Sequence, residues 1–217
     1  MTEPSPDDIR SALARHVPRE LPIGGCREAA VLIPLQLVEG CWRVLLTRRT
    51  RTVEHHKGEI SFPGGRRDAD DPDLLATALR ESEEEVGIPP DGVEVLGRLD
   101  DIYTISNYRV RPYVGRIPHP FHPKLEPAEI EELLLLPLAG FVAPGGLAET
   151  IICRAGSPYS IYFFRVAGCT VWGATGKIMK QFLEVGLGFA PCSPPGAEVM
   201  SAMAETLRQL PGKVDGR

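Results

Sequence analysis

Residues 71–90 read D-P-D-L-L-A-T-A-L-R-E-S-E-E-E-V-G-I-P-P, a helix with both ends marked. Asp71 is placed to accept hydrogen bonds from the free N–H groups as N-cap, Pro72 suits the first turn, and Asp73 complements the positive end of the dipole. At the other end Gly87 takes the left-handed turn that closes a helix, and Pro89 and Pro90 forbid its continuation. At about 100° per residue Leu75, Ala78, Leu79, Ser82 and Val86 form one mostly apolar stripe, which predicts packing against a sheet. Glu81, Glu84 and Glu85 share a different face. Their i, i+3, i+4 spacing brings neighbouring Cβ atoms to about 5–6 Å of one another. Glu83 lies apart and faces solvent.

An acidic run is more often a solvated helix face than a site, but this one is costly. Glu81 and Glu85 are like charges at i, i+4, and the cluster sits near the helix C-terminus, where the dipole also disfavours anions. Arg80 can relieve Glu84 at i+4, which leaves an excess of negative charge. A hard dication with oxygen ligands, Mg2+ or Mn2+, neutralises it. Just upstream, Phe62-Pro63-Gly64-Gly65 is a sharp turn whose glycines leave backbone carbonyls open, so that the Gly64 carbonyl can join the carboxylates around a metal.

Outward from this helix, strands and helices alternate irregularly. Residues 29–37 and 42–47 read as a hairpin, 93–99 and 109–116 as strands, and 151–153 with 160–166 as a second hairpin. Helical spacing marks 5–17, 172–185 and 197–210, and a short helix is expected over 127–135 ending at Pro137. This pattern points to an α/β or α+β sandwich rather than a regular doubly wound sheet.

Of the 217 residues, 43% are hydrophobic and 24% charged, which suits a globular chain and excludes a disordered or fibrous one. Twenty-four Lys and Arg against 29 Asp and Glu give a net charge of −5, so there is no global basic field for duplex nucleic acid. No apolar run is long enough for a membrane span, and residues 1–15 are polar and acidic, unlike a signal peptide. A cytoplasmic setting is therefore expected. The five cysteines, Cys26, Cys41, Cys153, Cys169 and Cys192, have no paired spacing and are expected to be reduced and mostly buried. The densest basic stretch, Arg48, Arg49, Arg51, His55, His56 and Lys57, precedes the glycine turn and suits contact with phosphate.

Gly65, Arg80, Glu81, Glu84, Glu85, Gly87 and Ile88 together resemble the Nudix box, G-x5-E-x7-R-E-U-x-E-E-x-G-U. The box expects Glu six residues after the glycine. Here Asp71 stands at that spacing, with one extra residue before Arg80. Leu45, Leu46, Thr47, Arg49, His56, Lys57, Gly58, Phe62, Pro63, Gly64 and Gly65 also resemble the motif preceding the box in the coenzyme A pyrophosphatase branch. Thr50 stands where that motif has Ser or Ala, and Glu54 where it has Arg. Residues 104–115 and Trp172-Gly173-Ala174-Thr175 extend the likeness, which spans residues 29–184.

The resemblance implies a Nudix-type α/β/α sandwich with a mixed central sheet over residues 29–186. An N-terminal helix and extension (1–28) precedes it, and a C-terminal loop and helix (187–217) follows. It also implies metal-dependent hydrolysis of a nucleoside diphosphate linked to another group. The substrate is coenzyme A or an acyl-coenzyme A, or alternatively ADP-ribose, a dinucleoside polyphosphate or an oxidised nucleotide; a non-catalytic nucleotide-binding module is the remaining reading. Glu81, Glu84, Glu85 and the Gly64 carbonyl would hold Mg2+ or Mn2+. Arg80 would orient the cluster, and Glu81 is the candidate base. Arg49, Lys57 and His56 would bind substrate. Glu126, Glu129, Glu131 and Glu132 offer a second source of a base, or simply a solvated helix face. Neither duplex nucleic acid nor a membrane is an expected partner, and homodimer formation is left open.

Overall fold

The computed structural model describes residues 3–50, 58–154, 157–190 and 193–209. Helix α1 (Pro6–Arg15) starts at a capping box in which Ser5 and Asp8 satisfy each other's backbone N–H groups, with Pro6 at the first position. The Val- and Leu-rich runs form a hairpin of β1 (Arg27–Val38) and β2 (Cys41–Arg49). Then come β3 (Ile60–Ser61), β4 (Gly64–Arg66), α2 (Leu74–Val86), β5 (Glu94–Arg98), β6 (Ile102–Tyr103) and β7 (Tyr108–Arg116). The chain continues through β8 (Ile130–Pro137), a single turn α3 (Leu138–Phe141), and the hairpin β9 (Leu147–Arg154) and β10 (Ser157–Val166). It ends with β11 (Cys169–Trp172), α4 (Gly173–Leu187) and α5 (Ala197–Gln209).

Among the described residues the central sheet has eight strands and is mixed. β1 runs parallel to β7, while β2, β3, β4, β5, β6 and β8 all pair antiparallel. β1 carries two partners on one side: Val31 pairs with Gly64 of β4, and Leu35 to Val38 pair with β2. A second sheet has the order β11-β10-β9.

Side chains alternate across β1, and that period of two builds both layers. Ala30 packs with Leu74 and Ala78 of α2, and Leu32 with Val86 and Ile88. Ala29, Ile33 and Leu35 point the other way, into a core shared with Ile9 and Leu13 of α1 and Ile178 and Phe182 of α4. Helices thus cover both faces, as expected for an α/β/α sandwich. At α4 the Trp172–Thr175 segment packs but does not cap: Trp172 stands at the N-cap position without a side-chain capping bond and stacks on Phe163, and the Thr175 hydroxyl donates to the Ile60 carbonyl (3.0 Å).

Two expectations fail. Most of residues 127–135 form strand rather than helix, with Leu133 to Pro137 and Glu132 paired along β2. Leu134 and Leu136 enter the large core while Leu133 and Leu135 pack beside Leu32 and Leu45, so the leucine run is apolar on both faces, as a strand buried from two sides must be. The cysteines are also less buried than expected: Cys41 and Cys153 are exposed, and Cys26 and Cys169 half-buried, all four as free thiols. No helix among the described residues is long and apolar enough to cross a membrane.

Phe182 is fully buried where α4 meets α1. Phe182→Ala is expected to lower the unfolding free energy by about 3–5 kcal/mol, read from urea titrations of wild type and variant.

Candidate active site

Helix α2 begins at Leu74, and its N-cap is Asp73, whose carboxylate accepts from the Ala76 N–H (2.8 Å). Asp71 is therefore not the cap. Its buried carboxylate is closed by four donors: Nε and Nη2 of Arg80 (2.9 Å each), the Thr77 hydroxyl (2.9 Å) and the Asp68 N–H (2.9 Å). Hydrogen bonding to Arg80 holds the Asp71 carboxyl well below the usual carboxylate range. Cap and clamp are separate because the cap must immediately precede the first helical residue, whereas the clamp must reach back to an arginine in the helix's second turn. The signal for the clamp was present in the spacing from Gly65.

With one edge on Asp71, the Arg80 guanidinium turns Nη1 toward Glu84 (3.0 Å) and Glu81 (3.1 Å), and Nη2 also donates to the Arg66 carbonyl (3.2 Å). The three site glutamates differ in exposure: Glu85 is 7% exposed, Glu81 19% and Glu84 59%. That gradient sets their electrostatics. Burial pushes the Glu85 carboxyl up to about 8, only partly opposed by the Gly64 N–H (3.2 Å) and by Arg49, whose Nη1 lies 3.5 Å away. Burial raises Glu81 as well, against the pull of Arg80. Glu83 faces solvent, as expected.

The glycine turn fits against these carboxylates. Gly64 has φ +147° and lies so close to β1 that a Cβ there would sit 2.6 Å from Val31 Cα. A Cβ on Gly65 would come within 2.6 Å of Glu81 Oε1. At Gly64 only hydrogen lets the turn lie against β1, and at Gly65 a side chain would push the Glu81 carboxylate aside.

The open side of the cluster is lined from β2 and β8. Arg49, at the end of β2 beside a bulge, bridges Glu85 and Glu129 (Nη2 to Oε2, 3.1 Å). The segment before β8 hooks onto the end of α2, with Glu126 N–H donating to the Glu85 carbonyl (3.0 Å). Glu129 is thereby close enough to raise both Glu81 and Glu85, a fourth carboxylate at the cluster. Of its three companions, Glu132 pairs with Arg48 (2.9 Å), Glu126 meets the Glu85 carbonyl through its backbone N–H, and Glu131 is exposed. Sequence reading grouped these four as equals because it assigned them to a helix. His56 and Lys57 lie outside the described residues.

As the side chains stand, arginines hold the glutamates, and among the described residues no three His, Cys, Asp or Glu side chains converge as a metal site. The donors nevertheless fit a hard dication. They are all carboxylate oxygens on one helix face, and the most buried one is poorly compensated. Turning Glu81 and Glu84 away from Arg80 would still leave that guanidinium bound to Asp71 and the Arg66 carbonyl.

Comparison with known proteins agrees with this geometry. The NUDIX domain family matches residues 27–149. A protein named as an uncharacterized Nudix hydrolase, NudL, from Photorhabdus laumondii is 36% identical over 158 residues, covering 73% of this chain and 84% of its own. The protein of that name from Escherichia coli O1:K1 is 36% identical over 162 residues, covering 74% and 84%. Among solved structures, a MutT/nudix family protein from Enterococcus faecalis superposes with a TM-score of 0.52 at 13% identity, covering 86% of this chain and 71% of that one. That last likeness speaks to the fold alone.

Asp71→Asn keeps the shape but removes the charge that clamps Arg80, and is expected to lower stability at pH 7 by about 1–3 kcal/mol. Because the folded-state pKa of Asp71 is depressed, its contribution is full above the unfolded value of about 3.9 and lost as pH falls through the folded one. The stability gap between wild type and variant, measured by thermal melts from pH 7 to pH 2, should therefore stay constant down to about pH 4 and narrow below it.

Proposed function

The chain belongs to the Nudix hydrolase family, and on that premise we propose that it hydrolyses the pyrophosphate bond of coenzyme A or an acyl-coenzyme A. The observation that carries the hydrolytic reading is the face of Glu81, Glu84 and Glu85 set flush against Gly64 and Gly65, with Arg49 and Glu129 closing its open side. The substrate reading rests on the stretch from Leu45 to Gly65, whose spacing resembles the coenzyme A pyrophosphatase motif. Arg49, a residue of that motif, lies against the buried glutamate.

In this reading Glu81, Glu84, Glu85 and the Gly64 carbonyl hold Mg2+ or Mn2+. A bound dication supplies charge neutralisation of the pyrophosphate and a water of lowered pKa. The chain's own residues do the rest. Arg80, anchored on Asp71, keeps Glu81 and Glu84 on one side of the helix and stays charged throughout. Arg49 carries a guanidinium that can pass from Glu85 and Glu129 to a phosphate oxygen, with Lys57 and His56 of the same motif as further phosphate contacts. Glu81 takes the proton of the attacking water; Glu129, beside it, is the second candidate for that role. The water oxygen bonds to one phosphorus, the bridging P–O bond breaks, and two phosphate monoesters leave, adenosine 3′,5′-bisphosphate and 4′-phosphopantetheine. A cytoplasmic setting belongs to the same reading and accords with the four free thiols.

Incubation with coenzyme A and Mg2+ or Mn2+, followed by chromatography, should yield those two products. Intact coenzyme A alongside cleavage of ADP-ribose, a dinucleoside polyphosphate or an oxidised nucleotide would move the assignment to that substrate. No cleavage across the panel would leave the non-catalytic reading. Glu84→Gln should lower kcat by about 10²–10³-fold, since it removes ligand charge, while circular dichroism and melting stay close to wild type because the side chain is exposed. Turnover near wild type would take Glu84 out of the ligand set.

A further inference from the structure

Arg49 meets two carboxylates, but not equally. Its Nη2 donates to Glu129 (3.1 Å), the only side-chain hydrogen bond the guanidinium makes among the described residues, whereas Nη1 stands 3.5 Å from Glu85 in an ion pair without one. Glu129 is therefore the firmer hold. In the reading above Glu85 gives its oxygens to a metal, and the guanidinium then keeps its seat on Glu129 with Nη1 left to donate elsewhere. Both partners stand at the open side of the cluster, Arg49 24% exposed and Glu129 48%.

The fold fixes this pair from both ends. Arg49 is bonded through its backbone to the strand entry beside it, its N–H donating to the Glu59 carbonyl (3.0 Å) and its carbonyl accepting from the Gly58 N–H (3.1 Å). The register shift between Arg48 and Arg49 sets Arg48 opposite Glu132 and Arg49 opposite Ile130, and an irregularity of this kind re-aims a side chain. Thr50 then clasps the segment that carries the glutamate: its N–H donates to the Glu129 carbonyl (2.8 Å) and its hydroxyl to the Ala128 carbonyl (3.1 Å). Glu126 ties the same segment to the end of α2, and its own carbonyl accepts from the Glu129 and Ile130 N–H groups (3.1 and 2.9 Å). An ion pair gains little when two long side chains must first be ordered; here both backbones are in place beforehand.

We propose that Glu129 is a positioning residue, which holds the Arg49 guanidinium at the open side of the site, aimed at a phosphate oxygen of the substrate. It acts through Arg49 rather than on the attacking water. The role rests on the pyrophosphatase reading above, whichever of the nucleotides is cleaved. Its effect has a sign opposite to plain repulsion: a carboxylate beside a phosphate disfavours it, so removing that charge tightens an anionic ligand unless the carboxylate serves the arginine.

Calorimetry with α,β-methylene-ADP and Mg2+, a diphosphate whose bridge cannot be hydrolysed, tests this without turnover. Arg49→Gln should weaken binding about 10–100-fold, the loss of a charge-assisted bond. Glu129→Gln should weaken it about 3–10-fold with melting near wild type, Glu129→Asp should recover part of the loss, and Glu129→Gln added to Arg49→Gln should cost nothing further. Unchanged or tighter binding by Glu129→Gln, or an equal loss in both backgrounds, overturns the role. With coenzyme A as substrate, Glu129→Gln should raise KM more than it lowers kcat; a fall in kcat by orders of magnitude at unchanged KM assigns Glu129 to proton transfer and overturns positioning too. No binding of the analogue by wild type removes the pyrophosphatase reading and the role with it. The coupled loss in binding, with coenzyme A left uncleaved by wild type, keeps the role and rejects coenzyme A as the substrate.

Discussion

Three carboxylates within two turns of a helix repel one another, and α2 tolerates them because guanidiniums reach the cluster from two directions. Arg80, on the helix itself, draws Glu81 and Glu84 to one edge while its other edge is fastened to Asp71. Arg49 arrives from β2 and meets Glu85. Like-charge neighbours at i, i+4 cost a few tenths of a kcal/mol each on a helix surface, but Glu85 is buried, where desolvation outweighs that term. The cluster is therefore held by imported positive charge, and the same arrangement is suited to exchange that charge for a metal and a substrate.

The loop between β4 and α2 is fastened from beneath by a second set of charges. Arg67 donates to the Asp71 and Pro72 carbonyls (3.1 and 3.2 Å) and to Glu28 (3.3 Å). Glu28 in turn pairs with Arg109, which also faces Asp101 (3.5 Å), the fully buried partner of Arg111. Such a chain adds little net stability, since desolvation offsets much of its Coulombic gain. It does fix where Asp71 sits, and Asp71 decides where Arg80 points. Register completes the placement: the pairing of Val31 with Gly64 brings the glycine turn against β1, and a Cβ there would break it.

Much of this was legible in the residues. The C-terminal end of α2 with its C-cap at Gly87 (φ 78°), the grouping of Glu81, Glu84 and Glu85, and the pairing of Arg80 with Glu84 all follow from helix geometry and capping chemistry. The apolar stripe was roughly right, although Leu74 and Thr77 are buried and Leu75 and Leu79 only half-buried. Misread were Asp71, whose partner Arg80 lies nine residues away, and residues 127–135, where a leucine run apolar on both faces carries no period to separate strand from helix. The special place of Glu129 followed from that second error.

Local geometry by itself determined which glutamates share a face, because a helix sets the angle between residues three and four apart whatever surrounds it. Which of them is buried, which cation meets it, and which carboxylate joins from outside were decided only when distant segments packed together. Gly64 and Glu85 are 21 residues apart, and Arg49 and Glu129 are 80. Their contacts exist because β1 pairs with β4 and β2 with β8, and strand pairing is fixed by the burial of whole faces rather than by any residue within the site.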